Sequence, residues 1–374
     1  MNRALRSAAV RSLGIPIGAA AALLWSNLAA ESYFRITQAL AFAVNDIGMA
    51  FFFALLTQEV LEATMPGGTL HTWRRAALPI VAAVGGTAGA IGAYDLFVLA
   101  GDEHVLLGGW PIVCAIDGGV AYFLVRVLIG RGGAAPFVVL MAIVSNAIGL
   151  IAISLHQHSG QIGPRGPLLI VVGSAVTVWV TRLKLRAIWP QVVIGGTLMW
   201  FGFWWSGLHP ALALIPIVPS LPRSPRRQSP FSAELEHGAH DSPGHIEHAL
   251  WLPVQCILFL FAFVNAGVVA HGLERGAWAV TVGALVGRPA GTLIAVGVSL
   301  LCGLRLPPGV GWRQLVVISL ATSCAFVFGL FFATAVFATG PVLTEAKVGA
   351  LSTIGAVLIA VAVGWTLRAT TSKA

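Results

Sequence analysis

The stretch Gly109-Trp-Pro-Ile-Val-Cys-Ala-Ile-Asp-Gly-Gly-Val-Ala-Tyr-Phe-Leu124 is apolar and long enough to cross a bilayer, yet it carries a carboxylate, Asp117, followed at once by two glycines. An ionised side chain at membrane depth costs several kcal/mol unless it is paired, hydrated or aimed into a cavity, so chains that keep one usually use it to move ions or protons. Arg288 sits in a second such stretch. The two charges point to an ion carrier before any other feature is considered.

Composition supports a membrane protein throughout. Of the 374 residues 57% are hydrophobic and only 10% charged, with a mean hydropathy of +0.87, a balance no soluble domain shows. A 30 Å hydrocarbon core takes about 20 apolar residues per helix, and polar clusters cut the chain into roughly twelve such segments. They fall near 13 to 30, 37 to 61, 76 to 99, 109 to 128, 136 to 155, 167 to 183, 187 to 206, 208 to 220, 249 to 270, 277 to 301, 315 to 337 and 347 to 367, the eighth being short. The first follows Arg3, Arg6 and Arg11 and is read as a retained helix, because Asn27 to Glu31 is a weak cleavage-like end and further spans follow.

Basic residues test the orientation. With the N-terminus inside and twelve crossings, 17 of the 22 Lys and Arg residues fall inside, Arg35, Arg165, Arg275 and Lys347 fall outside, and Arg288 stays within the membrane. This positive-inside asymmetry predicts a multi-pass protein with both termini cytoplasmic. The formal charge of +8 is therefore topology information, and no basic stripe interleaved with aromatics argues for nucleic acid. The long polar loop at 222–247, with Glu234, Glu236, His237, His240 and His245, is expected to be cytoplasmic and to join two halves of one membrane-embedded domain spanning 1–374. Its histidines fit no compact ligand spacing. Cys114, Cys256, Cys302 and Cys324 lie in the spans without a C-x-x-C spacing and read as small buried hydrophobes. No cofactor and no metal is expected, and no nucleophile-base pair or phosphate loop suggests an enzyme.

Several strings together resemble the NhaA sodium/proton antiporter family. They are Val44-Asn-Asp-Ile-Gly-Met-Ala-Phe-Phe-Phe53 with Gln58-Glu-Val60, Arg75-Ala-Ala-Leu-Pro79 with Ala82-Ala-Val-Gly-Gly86, and Trp110-Pro through Ile116-Asp117. Ser206-Gly-Leu-His-Pro-Ala-Leu212, Glu247-His248, Phe261-Ala-Phe-Val-Asn-Ala-Gly267 and Gly287-Arg-Pro-Ala-Gly291 follow in the same order. The resemblance implies an all-α integral membrane protein of about twelve transmembrane helices, an NhaA-like bundle with inverted repeats and with helices 4 and 11 discontinuous. Interrupted helices free backbone groups and present opposed partial charges to an ion pathway. Gly118 and Gly119 are the expected break residues of the fourth helix, and Ser323 and Gly329 those of the eleventh, where Thr322-Ser-Cys-Ala replaces the family's Gly-x-Gly-Phe pattern.

Two departures from the family pattern bear on chemistry. Where the family has an Asp-Asp pair in the fifth helix, Leu140-Met-Ala-Ile-Val-Ser-Asn-Ala-Ile-Gly149 carries Ser145-Asn146 or, with a one-residue shift, Asn146-Ala147. Neither pairing contains a carboxylate, and an Asn holds no proton to exchange. Arg288 stands where a lysine is common, and arginine stays protonated under biological conditions.

The reading is thus a divergent sodium/proton antiporter of the bacterial inner (plasma) membrane, in which Asp117 alternately holds a proton and a monovalent cation, sodium or lithium. Asn146 and Ser145 complete the ion shell, Arg288 compensates charge near Asp117, and Asp46, Glu59, Glu247 and His248 line a funnel or tune the pH response. The partners are the ion, protons and the lipid bilayer, and a homodimer is compatible with this. The alternative is a divergent relative that has lost sodium/proton exchange and moves another solute, leaks protons, or serves as a non-transporting membrane sensor or partner.

Overall fold

The computed structural model describes residues 14–64, 73–130, 133–157, 164–183, 189–220, 256–269, 272–307, 309–337 and 340–371. Every regular element among them is helical. In chain order the α-helices are α1 (Gly14–Leu28), α2 (Ala30–Ala41), α3 (Met49–Thr64), α4 (Trp73–Ala100), α5 (Gly118–Leu128), α6 (Ala134–Gln157), α7 (Arg165–Arg182), α8 (Gly196–Ser206), α9 (Cys256–Asn265), α10 (Arg275–Val282), α11 (Arg288–Leu301), α12 (Trp312–Ala321), α13 (Phe326–Val336), α14 (Pro341–Ser352) and α15 (Gly355–Thr371). Wide π-turns at Phe42–Gly48 and Gly283–Gly287 join α2 to α3 and α10 to α11, and tight 3₁₀ turns form His104–Cys114, Pro210–Leu212 and Ile215–Ser220.

Among the described residues, five helical stretches are long and apolar enough to cross a membrane, or seven if each of two bent helix pairs is one span. The eighth segment read from sequence is not an α-helix but the two 3₁₀ turns between Pro210 and Ser220, where Pro210, Pro216 and Pro219 remove the N–H groups an α-helix needs. The loop at 222–247 lies outside the described residues. Cys114 and Cys324 are buried as expected, whereas Cys256 and Cys302 are exposed on their helices.

The chain groups into two compact units, Met1–Glu59 with His158–Val269 and Val60–Gln157 with Ala270–Ala374. In the first, polar side chains hold the extended segment that follows α9. The Tyr33 hydroxyl donates to the Phe263 carbonyl (2.6 Å) and accepts from the Gly267 N–H (3.0 Å). Ser26 donates to the Val268 carbonyl, and the Asn45 and Asn265 amides bond each other reciprocally. Gly267 lies flat on the Tyr33 ring, so a Cβ there would collide with it.

The second unit contains a close helix crossing. Gly85 and Gly89 on α4 face Ala295, Gly287 and Gly291 across the way, so close that a Cβ on any of these glycines would overlap the opposite strand of backbone or a methyl group. Small residues one turn apart allow this approach in a membrane, where packing rather than hydrophobicity drives association. The π-turn Gly283–Gly287 has a local cause. Pro289 has no N–H for the Leu285 carbonyl and its ring crowds that carbonyl, so the preceding turn widens. Arg288 emerges where the turn ends.

Candidate functional site

Two helix pairs of the second unit are broken and bent. His104–Cys114 and Gly118–Leu128 meet at 53°, and Trp312–Ala321 and Phe326–Val336 at 47°. Between the first pair, Ala115 to Asp117 run outside the helices, with Ala115 at φ −62° and ψ 139°. The break therefore falls just before Gly118 and Gly119, which open α5 instead of forming the bend, and neither has a positive φ. Gly329 likewise lies inside α13 and packs against Ala350, while the second break occupies the residues around Ser323 to Ala325. In each pair the discontinuity comes from side chains capturing backbone groups, a cause that glycine positions do not reveal.

Asp117 is the point where the breaks touch. Its N–H donates to the Cys324 carbonyl at 2.8 Å. Its carboxylate caps α5 by accepting from the Val120 N–H at 3.4 Å, and its other oxygen accepts from the Val327 N–H in the first turn of α13, also at 3.4 Å. The carboxylate thus faces the N-terminal ends of two helices, which favour a negative charge by about 0.3–1 kcal/mol each, up to ~2 in buried settings. The desolvation cost of a buried carboxylate is several kcal/mol even after relaxation, so two long hydrogen bonds and two helix ends do not offset it. Asp117 is 1% exposed.

Arg288 forms no ion pair with Asp117. The ion pairs among the described residues are Arg35–Glu31, His104–Asp102 and Arg275–Glu103, and none joins Arg288 to Asp117 within 4.0 Å. The fully buried guanidinium instead bonds to the chain segment preceding Asp117. One terminal nitrogen donates to the Ser145 hydroxyl at 3.1 Å, and the other to the carbonyls of Val113 and, at 3.2 Å, Ala115. Ser145 in turn donates to the Cys114 carbonyl at 2.7 Å and sits 2.7 Å from the Thr87 hydroxyl. Asn146 grips Ile116 from both sides, accepting from its N–H at 2.8 Å and donating to its carbonyl at 3.0 Å.

The second break is held more simply. Cys324 gives its carbonyl to Asp117, and the Ala325 N–H donates to the Thr353 hydroxyl at 3.0 Å. Thr87 and Thr353 were not singled out from sequence. Thr353 interrupts the apolar run between α14 and α15 beside Ser352, a faint signal, and Thr87 had only its position after Gly85-Gly86 to mark it.

With this geometry in view, the comparisons with known proteins are unambiguous. The family model described as Na+/H+ antiporter 1 matches residues 2–367. The chain belongs to the NhaA Na+/H+ antiporter family. The NhaA antiporter of Jannaschia sp. (strain CCS1) is 34% identical over 396 residues, covering 93% of this chain and 94% of the relative. That of Desulfitobacterium hafniense (strain DSM 10664 / DCB-2) is 33% identical over 364 residues, with 94% and 93% covered. The NhaA antiporter of Geobacter metallireducens is 33% identical over 376 residues, with 96% and 97% covered.

NhaA membership favours the antiporter over the divergent, non-exchanging alternative, and the remaining site residues can be placed within it. Asp46 lies half-buried in the π-turn Phe42–Gly48, in the first unit. Glu59 belongs to α3, and its side chain lies outside the described residues, as do Glu247 and His248. Among the described residues no group of three or more His, Cys, Asp or Glu is placed to hold a metal ion.

Proposed function

We propose that this NhaA-family chain exchanges sodium or lithium for protons across the bacterial inner membrane, with both termini cytoplasmic and about twelve crossings, and that Asp117 alternately carries the proton and the cation. One observation carries the assignment to Asp117: a fully buried carboxylate at the meeting of two broken helices has, among the described residues, no cationic side chain within 4.0 Å. Its charge has to be neutralised from outside the protein, and the two species that can alternate there are a proton and a hard cation that accepts oxygen ligands. The chain is a carrier in this reading, not an enzyme.

The mechanism follows from competition for one carboxylate. Protonated, Asp117 is neutral and loses affinity for the cation. Deprotonated, it attracts the cation, and the helix ends at Val120 and Val327 steady the charge while the exchange occurs. The two bent pairs meet at this residue, so a shift of one against the other would change which side of the membrane the carboxylate faces, as in carriers built from broken helices.

The test is sodium-driven proton movement in proteoliposomes containing the full-length protein, read with an internal pH dye, comparing sodium, lithium and potassium gradients with a no-gradient control. Asp117→Asn is expected to abolish the flux and keep the fold, because Asn is as good a helix N-cap as Asp but neither titrates nor neutralises a cation. Robust exchange by Asp117→Asn would sink the assignment.

A further inference from the structure

We propose that Thr87, Ser145, Asn146 and Arg288 are positioning residues that form a clamp lacking any carboxylate, which holds the bridge Val113 to Ile116, the end of the 3₁₀ turn and the start of the break, and through it Asp117, in one geometry throughout the exchange cycle. The inference rests on the assignment of exchange to Asp117. It gives the fifth-helix polar pair and the buried arginine a different task from ion ligation or proton carriage.

Four consecutive carbonyls make the case. Val113 and Ala115 are taken by Arg288, Cys114 by Ser145, and Ile116 by Asn146. A bare carbonyl at membrane depth costs several kcal/mol, so the last carbonyls of a helical turn and the irregular residues after it persist only where they find donors, and here each of the four has a side-chain donor. The directions of the bonds are fixed as well. Ser145 has a single hydroxyl proton, spent on Cys114; it therefore accepts from Arg288, and the Thr87 hydroxyl is the donor in its contact with Ser145. The result is a one-way chain from Thr87 through Ser145 to the bridge, braced by the guanidinium.

The identity of each member suits a fixed clamp. A planar guanidinium reaches three acceptors in different directions, which a lysine ammonium on a single tip does not match. Arginine keeps its proton, so the clamp does not open when the pH changes. The Asn146 amide offers one acceptor and one donor to the two backbone groups of the same residue, Ile116, a pairing that a carboxylate at this position would break. Among the described residues, the groups placed against Arg288 carry no competing charge: α4 contributes Gly86, α6 contributes Ser145, and the bridge contributes the Cys114 thiol as its titratable neighbour. Asp117 directly follows the bridge, so its orientation is inherited from it.

A clamp and a ligand shell respond differently to substitution. Ser145→Ala and Thr87→Val, assayed as full-length protein in proteoliposomes, are expected to slow exchange about tenfold, the equivalent of one lost hydrogen bond of ~1.4 kcal/mol, with the ratio of apparent KM for sodium and lithium unchanged. Arg288→Gln is expected to slow it further and to expose Cys114 to N-ethylmaleimide in a Cys256→Ser, Cys302→Ser, Cys324→Ala background where the parent is protected. Arg288→Lys should recover part of the rate near neutrality and lose it towards alkaline pH as the ammonium deprotonates, a limb the parent lacks. A changed sodium-to-lithium preference in Ser145→Ala would make Ser145 a ligand and overturn the proposal, as would an Arg288→Gln protein with parental rate and a protected Cys114. If the parent moved no protons under any cation gradient, the exchange reading would fail, and Cys114 protection would still report on the clamp by itself.

Discussion

Asp117 and Cys324 join the two broken helix pairs through one backbone hydrogen bond, from the Asp117 N–H to the Cys324 carbonyl at 2.8 Å. The carboxylate of the same residue then reaches the Val327 N–H beyond the break. A single residue is therefore the cap of its own half-helix, a partner for the opposite one and the buried charge of the site. Any movement of one pair against the other has to be felt at Asp117.

Exchange of one proton for one monovalent cation at one carboxylate moves no net charge, because Arg288 keeps its proton in every state. Were one charge moved per cycle, 100 mV would supply about 2.3 kcal/mol, equivalent to roughly fiftyfold in rate at most. Transport in proteoliposomes clamped with potassium and valinomycin is expected to change by less than about twofold over that range. A steep dependence on potential would require a second exchanging group.

Carboxylates returned to the fifth-helix positions should differ in their cost. Ser145→Asp places its charge beside the Arg288 guanidinium, whereas Asn146→Asp removes the donor to the Ile116 carbonyl and sets an oxygen against it. Asn146→Asp is expected to lose about 1–3 kcal/mol through the unsatisfied buried carbonyl, and Ser145→Asp markedly less. Thermal unfolding in detergent, with both proteins at the same pH, ranks them; a more stable Asn146→Asp would contradict the pairing described.

The glycine crossing should tolerate no side chain. Gly287→Val would drive its methyl groups into the Gly89 carbonyl and Ala93, and overpacking of this kind typically costs about 1–3 kcal/mol. Because Arg288 is the next residue, exchange should fall together with stability. Gly92 on α4 has open space around it, so Gly92→Ala serves as the control that keeps both.

The basic residues predict sidedness. A cysteine at position 102, which is exposed on the short turn after α4, should be labelled by an impermeant maleimide in intact cells, and one at position 236 should be labelled only after permeabilisation. Equal labelling of both in intact cells would overturn the orientation.

The sequence by itself determined that this is a helical membrane protein, because apolar run length and the distribution of Lys and Arg are one-dimensional properties. It also marked Asp117 and Arg288 as the costly intramembrane charges, and the family strings fixed the kinship. Glycines did not locate the breaks to the residue: Gly118 and Gly119 follow the first one and open a helix, Ser323 lies in the second, and Gly329 lies inside a helix. The pairing of charges was likewise not legible. Which groups a buried guanidinium meets depends on the rotation and rise of helices far apart in the chain: Asn146 holds a residue 30 positions away, and Arg288 one 175 positions away. Periodicity constrains a helix's own face, but not the depth at which it meets another. Only the tertiary structure, by setting α4, α6 and α11 against residues 113–116, decided that Arg288, Ser145 and Asn146 satisfy backbone there and that no direct ion pair joins Arg288 to Asp117.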